Sequence, residues 1–249
     1  MDFKAQVNTS KFPEHVAVIM DGNGRWAQQK GYERVYGHKH GVRSVRNISE
    51  AAAEIGIKYL TLYSFSKENW NRPDYEVNAL MSLLVETINS EIDTLIKNQI
   101  RLRIIGDLNS LPENVTKNLW NAIDKTSGNN RMDLILALSY GSRWEIINAV
   151  KQIDEKVKKE EIKPEQINED VFSNHLTTAN IPNPELLIRT GGEKRASNFL
   201  LWQISYTELY FTDVLWPDFQ KNHFYEALVE FQNRKRRFGK IKEQIENDI

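Results

Sequence analysis

Asp21, Gly22, Asn23, Gly24 and Arg25 follow directly on the apolar run Val16–Met20. A carboxylate is an oxygen ligand of the kind Mg²⁺ prefers. Glycines let backbone N–H groups come close to an anion, and the planar fork of an arginine matches a phosphate. A carboxylate beside phosphate donors makes chemical sense when a divalent metal bridges them. The pentapeptide therefore reads as a site for a metal-bound phosphate ester or diphosphate. It is no Walker loop, because the Gly-Lys-Ser/Thr ending is missing, and no dinucleotide fingerprint, because the third glycine is missing. Taken alone, the stretch also reads as a tight strand-to-loop turn with an exposed arginine.

Two further stretches carry the same kind of chemistry. Ser64 to Pro73 holds Ser66, Lys67, Glu68, Asn69, Trp70 and Arg72, and Arg189 to Asn198 holds Arg195, Ala196 and Ser197. Arg34 and His38 lie between the first and second stretches. Each stretch follows an apolar segment of strand character. In an open parallel sheet the loops beyond the carboxyl ends of the strands gather at one edge, where ligands bind. Four arginines and one carboxylate at that edge suit a ligand with several negative charges.

The elements that must position them read as follows. Strands are expected at Val16–Met20, Lys58–Ser64, Arg101–Gly106, Met132–Leu138, Leu186–Arg189 and Glu208–Phe211. Helices are expected at about 39–55, 75–98, 112–126, from after Arg143 to about 156, and 220–238, with Gly56 closing the first. The alternation predicts one α/β domain, a six-stranded, mostly parallel sheet flanked by helices. The helix over 75–98 carries the stripe Val77, Met81, Leu84, Ile88, Ile92 and Leu95, with Leu80, Leu83, Val85 and Ile96 outside it. Such a helix either packs on two sides or turns its extra apolar face to a cavity.

Composition removes several classes of function. The 249 residues include no cysteine, which excludes disulfides, thiolate zinc sites and cysteine nucleophiles. Net charge is −1, against a nucleic-acid binder that relies on bulk charge. The longest apolar runs, Val16–Met20 and Leu134–Leu138, fall far short of the roughly 20 residues that span a bilayer. No Gly-x-Ser-x-Gly elbow is present. His38 and His40 do not share a helix face, so a zinc pair is not expected there. His15, His175 and His223 have no evident partners and are expected to be structural or exposed.

With these residues in view, the chain resembles the cis-prenyltransferases. The resemblance rests on H-V-A-V-I-M-D-G-N-G-R-W-A from His15, R-x-x-G-H over 34–38, S-F-S-x-E-N-W-x-R-P over 64–73 and L-R-I-I-G-D over 102–107. It continues in I-R-T-G-G-E-x-R-x-S-N-F-L-L-W-Q over 188–203, E-L-Y-F-T-D-V-L-W-P-D-F over 208–219 and R-R-F-G over 236–239. It implies a catalytic domain over 13–239, with extensions 1–12 and 240–249, and an apolar tunnel between sheet and helices. The implied reaction adds isopentenyl diphosphate to farnesyl diphosphate with Mg²⁺ as cofactor. The product is a long polyprenyl diphosphate, of the undecaprenyl kind that feeds cell-wall synthesis. A homodimer in the cytoplasm is implied too, with room for a peripheral contact at the inner face of the membrane for product release.

Residue by residue, the resemblance makes Asp21 the essential carboxylate and a Mg²⁺ ligand, with Glu208 the second metal-associated carboxylate. Gly22, Asn23, Gly24 and Arg25 hold the allylic diphosphate, with Arg34 and His38 near it. Trp26 and Trp70 border the substrates. Ser66, Lys67 and Glu68 fall in a flexible substrate loop that leads to Arg72. Asn69 stands where the family's proposed proton-removal residue stands; an amide is a poor base, so it reads as orienting a water or a diphosphate oxygen. Arg189, Arg195, Ala196 and Ser197 hold isopentenyl diphosphate. The chain departs from the family's Asn-Tyr-Gly-Gly-Arg with Ser139-Tyr140-Gly141-Ser142-Arg143, which puts the local backbone in question. Two rivals come from other classes. A non-catalytic partner subunit would lose the aspartate loop that is intact here, and a phosphate-sensing module would need neither two anion loops nor a wide apolar helix.

Overall fold

The structure, a computed structural model, describes residues 2–8 and 10–235. Along the chain run β1 (His15–Ile19), α1 (Asn23–Gln29), α2 (Arg34–Ile55), β2 (Tyr59–Ser66), α3 (Asp74–Lys97), β3 (Ile100–Ile105) and α4 (Glu113–Thr126). They are followed by β4 (Met132–Tyr140), α5 (Ser142–Lys158), α6 (Glu169–Ser173), β5 (Leu186–Arg189), β6 (Glu208–Phe211) and α7 (Lys221–Asn233). The strands form one sheet in the order β3-β4-β2-β1-β5-β6. Every neighbouring pair is parallel, so the sheet is wholly parallel. β1, β4 and β5 are buried along their whole length, as strands covered on both faces must be.

Side chains alternate between the faces. Val16, Val18, Leu60, Leu62, Leu136 and Leu138 pack with Ile48 of α2, Met81 of α3, Leu119 of α4 and Leu228 of α7. Ala17, Ile19, Ile135, Ala137 and Leu187 turn the other way, against Tyr140, Phe199 and Leu200.

Two elements differ from the sequence expectation. The stretch after Asp21 is no open loop but the start of α1, and α2 begins at Arg34 rather than near Lys39. Gly37 and Gly41 argue against helix on propensity alone. Their missing side chains are what α1 requires: a Cβ on Gly37 would stand 1.9 Å from the Asn23 carbonyl oxygen, and one on Gly41 would stand 2.4 Å from Asn23 Oδ1. Packing between α1 and α2 outweighs propensity. His38 accordingly sits just over one turn inside α2, not beside its start. On α3, Leu80, Leu83 and Leu84 line a cavity, so its broad apolar surface is not only a packing surface.

The histidines left unassigned have partners. His15 Nδ1 donates to the Pro182 carbonyl oxygen at 2.6 Å, and Nε2 meets Thr61 Oγ1 at 2.7 Å. His175 Nδ1 lies 2.7 Å from the Val171 carbonyl oxygen, and His223 Nδ1 accepts from Gln220 N–H at 3.1 Å. The motif Arg236–Gly239 and the extension 240–249 lie outside the described residues.

Candidate active site

Asp21 stands two residues beyond β1, next to the first turn of α1. Gly22, at φ 107°, turns the chain into that helix. The Asp21 backbone is pinned from two sides: its carbonyl oxygen accepts from Trp216 N–H at 3.0 Å and from Thr190 Oγ1 at 2.7 Å. Arg189 Nη2 donates to Oδ2 at 2.9 Å, and Arg25 Nη2 lies 3.2 Å from Oδ1. Burial pushes the Asp21 carboxyl up, but the Arg189 hydrogen bond, the charges of Arg25 and Arg189 and the Gly22 N–H outweigh it. The net shift is below the usual carboxylate range, so Asp21 is ionised. Arg189 is fixed in turn by Ser197 Oγ at 2.6 Å and by the Arg195 carbonyl oxygen.

A second cationic cluster faces this one. Glu76, buried at the start of α3, accepts from Arg72 Nη1 at 3.0 Å and lies 3.5 Å from Arg34 Nε. One carboxylate thus aims two arginines. Gly24 makes room for Arg34, whose Cζ would lie 2.7 Å from a Cβ there. His38 borders the cavity beside them; burial, then the nearby Arg72 charge, lowers its pKa to about 4, so the ring is neutral. Sequence reasoning missed Glu76. Its one signal was the Arg72–Glu76 spacing of four on the approach to a helix.

The two loops meet across the mouth. Asn69 Oδ1 accepts from Ser66 N–H at 3.1 Å. Lys67 pairs with Asp107 at 2.6 Å, and Trp70 Nε1 donates to Ser139 Oγ at 2.9 Å. Asn198, also missed, ties the loops together: its Nδ2 donates to Glu68 Oε1 at 2.7 Å and its Oδ1 accepts from Arg143 N–H at 2.9 Å. The departures Ser139 and Ser142 are built in. Ser139 bridges Trp70 and Ser110, and Ser142 Oγ accepts from Leu201 N–H at 2.7 Å.

Behind this rim lies a cavity of about 650 Å³, within the range of small-molecule sites. Asp21, Asn23, His38, Ser66, Glu68, Asn69, Arg72, Arg189 and Ser197 border it, and its depth is walled by Leu80, Leu83, Leu84, Leu136 and Leu138. Some predicted residues lie elsewhere. Trp26 packs against Tyr36 and His40. Arg25 borders a separate shallow cleft with Gly191 and Gly192. The Arg195 side chain points out to solvent and pairs with Glu193, and Ala196 is only half-buried beside it.

Glu208 does not join Asp21 within one chain. It opens β6 level with Leu186 and Val16, and it pairs with Arg234 at 3.1 Å. Asp21 lies five residues further along the strand direction, roughly 15–20 Å away at ordinary strand spacings. Among the described residues no three His, Cys, Asp or Glu side chains are placed to hold a metal together. A single ionised carboxylate still fits Mg²⁺, which commonly takes one or two carboxylates and fills its shell with water and substrate phosphate.

Cations around the Asp21 carboxylate, beside an apolar hollow, suit a phosphorylated ester with a hydrocarbon tail. The comparisons with known proteins agree. Residues 19–239 match the family described as "Putative undecaprenyl diphosphate synthase". The chain is 53% identical over 233 residues to an isoprenyl transferase of Porphyromonas gingivalis, covering 94% of this chain and 92% of that one. It is 50% identical to the ditrans,polycis-undecaprenyl-diphosphate synthase, (2E,6E)-farnesyl-diphosphate specific, of Haemophilus influenzae, covering 94% and 98%. The crystal structure of lavandulyl diphosphate synthase from Lavandula x intermedia with dimethylallyl diphosphate superposes with a TM-score of 0.90 at 38% identity, over 93% of this chain and all of that one. The chain belongs to the undecaprenyl diphosphate synthase family of cis-prenyltransferases, and it is an enzyme that transfers prenyl groups.

Proposed function

We propose that the chain condenses isopentenyl diphosphate units onto farnesyl diphosphate to build a long cis-polyprenyl diphosphate of the undecaprenyl kind. The observation that carries this is Asp21, ionised between two arginines at the mouth of a cavity whose depth is apolar. Arg34 and Arg72, aimed by Glu76, meet the allylic diphosphate together with the N–H groups that open α1, which have no partner within that helix. Arg189, with Ser197, meets isopentenyl diphosphate, and the exposed Arg195 side chain joins them by leaving Glu193 and swinging inward. Asp21 holds Mg²⁺, which when bound stabilises the negative charge on the departing diphosphate. Two clamps hold the reacting carbons together and convert a bimolecular step into an effectively intramolecular one. Asn69 has its Oδ1 engaged by Ser66 N–H, so its Nδ2 orients a water or a diphosphate oxygen. The hydrocarbon grows between α2, α3 and β4 in the manner of a tunnel. Glu208 would reach such a site only from a second copy of the chain.

The catalytic domain is taken as 13–239, and a homodimer in the cytoplasm is part of the same proposal. Tyr210 and Trp216 belong to the core and are not available to a partner, whereas Leu209 is exposed. Exposed apolar side chains that a second copy could cover include Ile147 and Val150 on α5, with Leu201, Tyr206 and Leu209. Among the described residues no helix is long and apolar enough to cross a membrane; a peripheral contact at its inner face for product release belongs to the same proposal. Incubation with farnesyl diphosphate, labelled isopentenyl diphosphate and Mg²⁺ tests the reading. Long labelled chains are expected, and a protein that binds both substrates without joining them overturns it.

A further inference from the structure

Beyond Leu136 a small annex of about 60 Å³ adjoins the main cavity, with Val42, Val45, Thr87, Ile88 and Leu136 as common walls. The annex runs between α2 and α3, over Leu102 and Leu134 of the sheet. Val42, Val45, Arg46 and Ser49 succeed one another on one face of α2, and Ile88, Glu91 and Leu95 on one face of α3. Across the annex these faces are joined by one charged pair. Arg46 Nε donates to Glu91 Oε2 at 3.0 Å, and Nη2 donates to Oε1, a two-pronged bridge between the helices. Glu91 is the more buried partner, at 15% side-chain exposure against 49% for Arg46. Ser49 Oγ, buried in the annex wall, has no hydrogen-bond partner.

We infer that the Arg46–Glu91 bridge is the latch that closes the deep end of the hydrocarbon cavity and sets how long a chain the enzyme releases. The inference rests on the proposed elongation reaction. Glu91 lies eleven residues beyond Leu80, the first cavity-lining leucine of α3, and so about 16 Å further down that helix at helical rise. A growing chain first fills the main cavity and then meets the annex, which is too small to receive another unit unless α2 and α3 part. Parting them breaks a bidentate guanidinium–carboxylate pair, whose geometry makes it stronger than a single contact. An arriving alkene end offers neither charge a replacement partner. The latch therefore resists the last additions while leaving the diphosphate chemistry at the other end untouched.

The test compares wild type, Glu91→Gln, Arg46→Met and the reversed pair Arg46→Glu with Glu91→Arg. Two readouts are taken: the product-length distribution from farnesyl diphosphate with excess labelled isopentenyl diphosphate, and the rate of the first condensation in a single turnover. Glu91→Gln keeps the shape of the side chain, so folding is preserved. Each single variant should raise the ratio of longer chains to the main wild-type product about twofold to fivefold, the range an ion pair of this exposure supplies. The first condensation should be unchanged, and the reversed pair should move the lengths back towards wild type. Unchanged lengths in both single variants, or longer chains that the reversed pair fails to shorten, overturn the latch while leaving the transferase reading intact. A wild-type protein that makes no chains at all overturns that reading and the latch with it.

Discussion

Two aspartates in this molecule each face two arginines, at opposite edges of the same sheet. Asp133, on β4, is held by Arg101 through two bonds of 2.8 Å and by Arg103 at 3.2 Å, and its side chain is 5% exposed. Asp21 has one contact per oxygen, at 2.9 and 3.2 Å, and its side chain is 30% exposed. In the first cluster the carboxylate is sealed and the arginines reach water. In the second it is the arginine, Arg189, that is sealed at 4% exposure, and the carboxylate that faces the cavity. Equal charges thus make a structural clamp in one place and a ligand site in the other. What separates them is whether the carboxylate keeps lone pairs free for a ligand.

The largest effect should fall on Asp21. Asp21→Asn keeps an oxygen for Arg189 and removes the charge. It should fold with a melting temperature within a few degrees of wild type and lose at least about a thousandfold in turnover, roughly 4 kcal/mol of transition-state stabilisation. Asp21→Ala is the poorer test, because it strands the buried Arg189 guanidinium. Near-normal turnover of a folded Asp21→Asn enzyme in saturating Mg²⁺ would remove Asp21 from the mechanism.

Asp133→Asn should do the reverse. Urea unfolding should show a loss of about 1–3 kcal/mol, because a buried, charge-assisted network is weakened, while turnover per folded molecule stays close to wild type. If Asp133→Asn were stable but inactive, the two clusters would not differ in role as argued.

Arg195→Ala asks whether the second anion clamp is separate from the first. Loss of one charged hydrogen bond to phosphate, worth roughly 1.5–3 kcal/mol, should weaken isopentenyl diphosphate binding about tenfold to hundredfold. Farnesyl diphosphate binding should hardly change. Titration calorimetry with each substrate distinguishes this from one shared anion site, for which both affinities would fall together.

The smallest effects concern two histidines, one at each edge. His15 and His38 both have pKa values lowered to about 4 from 6.5, in each case first by burial. Between pH 4 and 6.5 the unfolded chain binds more protons than the folded one, so stability is full above pH 6.5 and falls as pH drops towards 4. Replacing His15 by Asn should flatten that slope by up to about 1.4 kcal/mol per pH unit, read from urea midpoints at pH 5 and 7. Diphosphate should raise the His38 pKa, because an anion favours the imidazolium, and should leave His15 unmoved. Equal movement of both in an NMR titration would break the distinction between the two edges.

Part of this was written in short stretches of sequence. Val16–Met20 reads as a strand because five consecutive apolar residues require burial on both faces, and Asp21-Gly22-Asn23-Gly24-Arg25 reads as an anion and metal site because its side chains belong to that chemistry wherever they sit. The alternation of such runs with helical periodicity determined the parallel sheet and the edge at which the loops gather. The tertiary structure decided what depends on partners far along the chain. Gly37 and Gly41 lie within a helix because Asn23 must pack against them. Glu76 aims Arg34 and Arg72 because three segments converge on it, and Asn198 joins two loops that are 130 residues apart. Arg189 turns out to be the sealed partner of Asp21, and Arg195 the exposed one. Glu208 reads like a second carboxylate of the site, yet parallel register places it at the amino end of its strand, away from Asp21. Residue type fixes what a side chain can do within its own few ångströms; distance, register and burial are set by packing across the whole sheet.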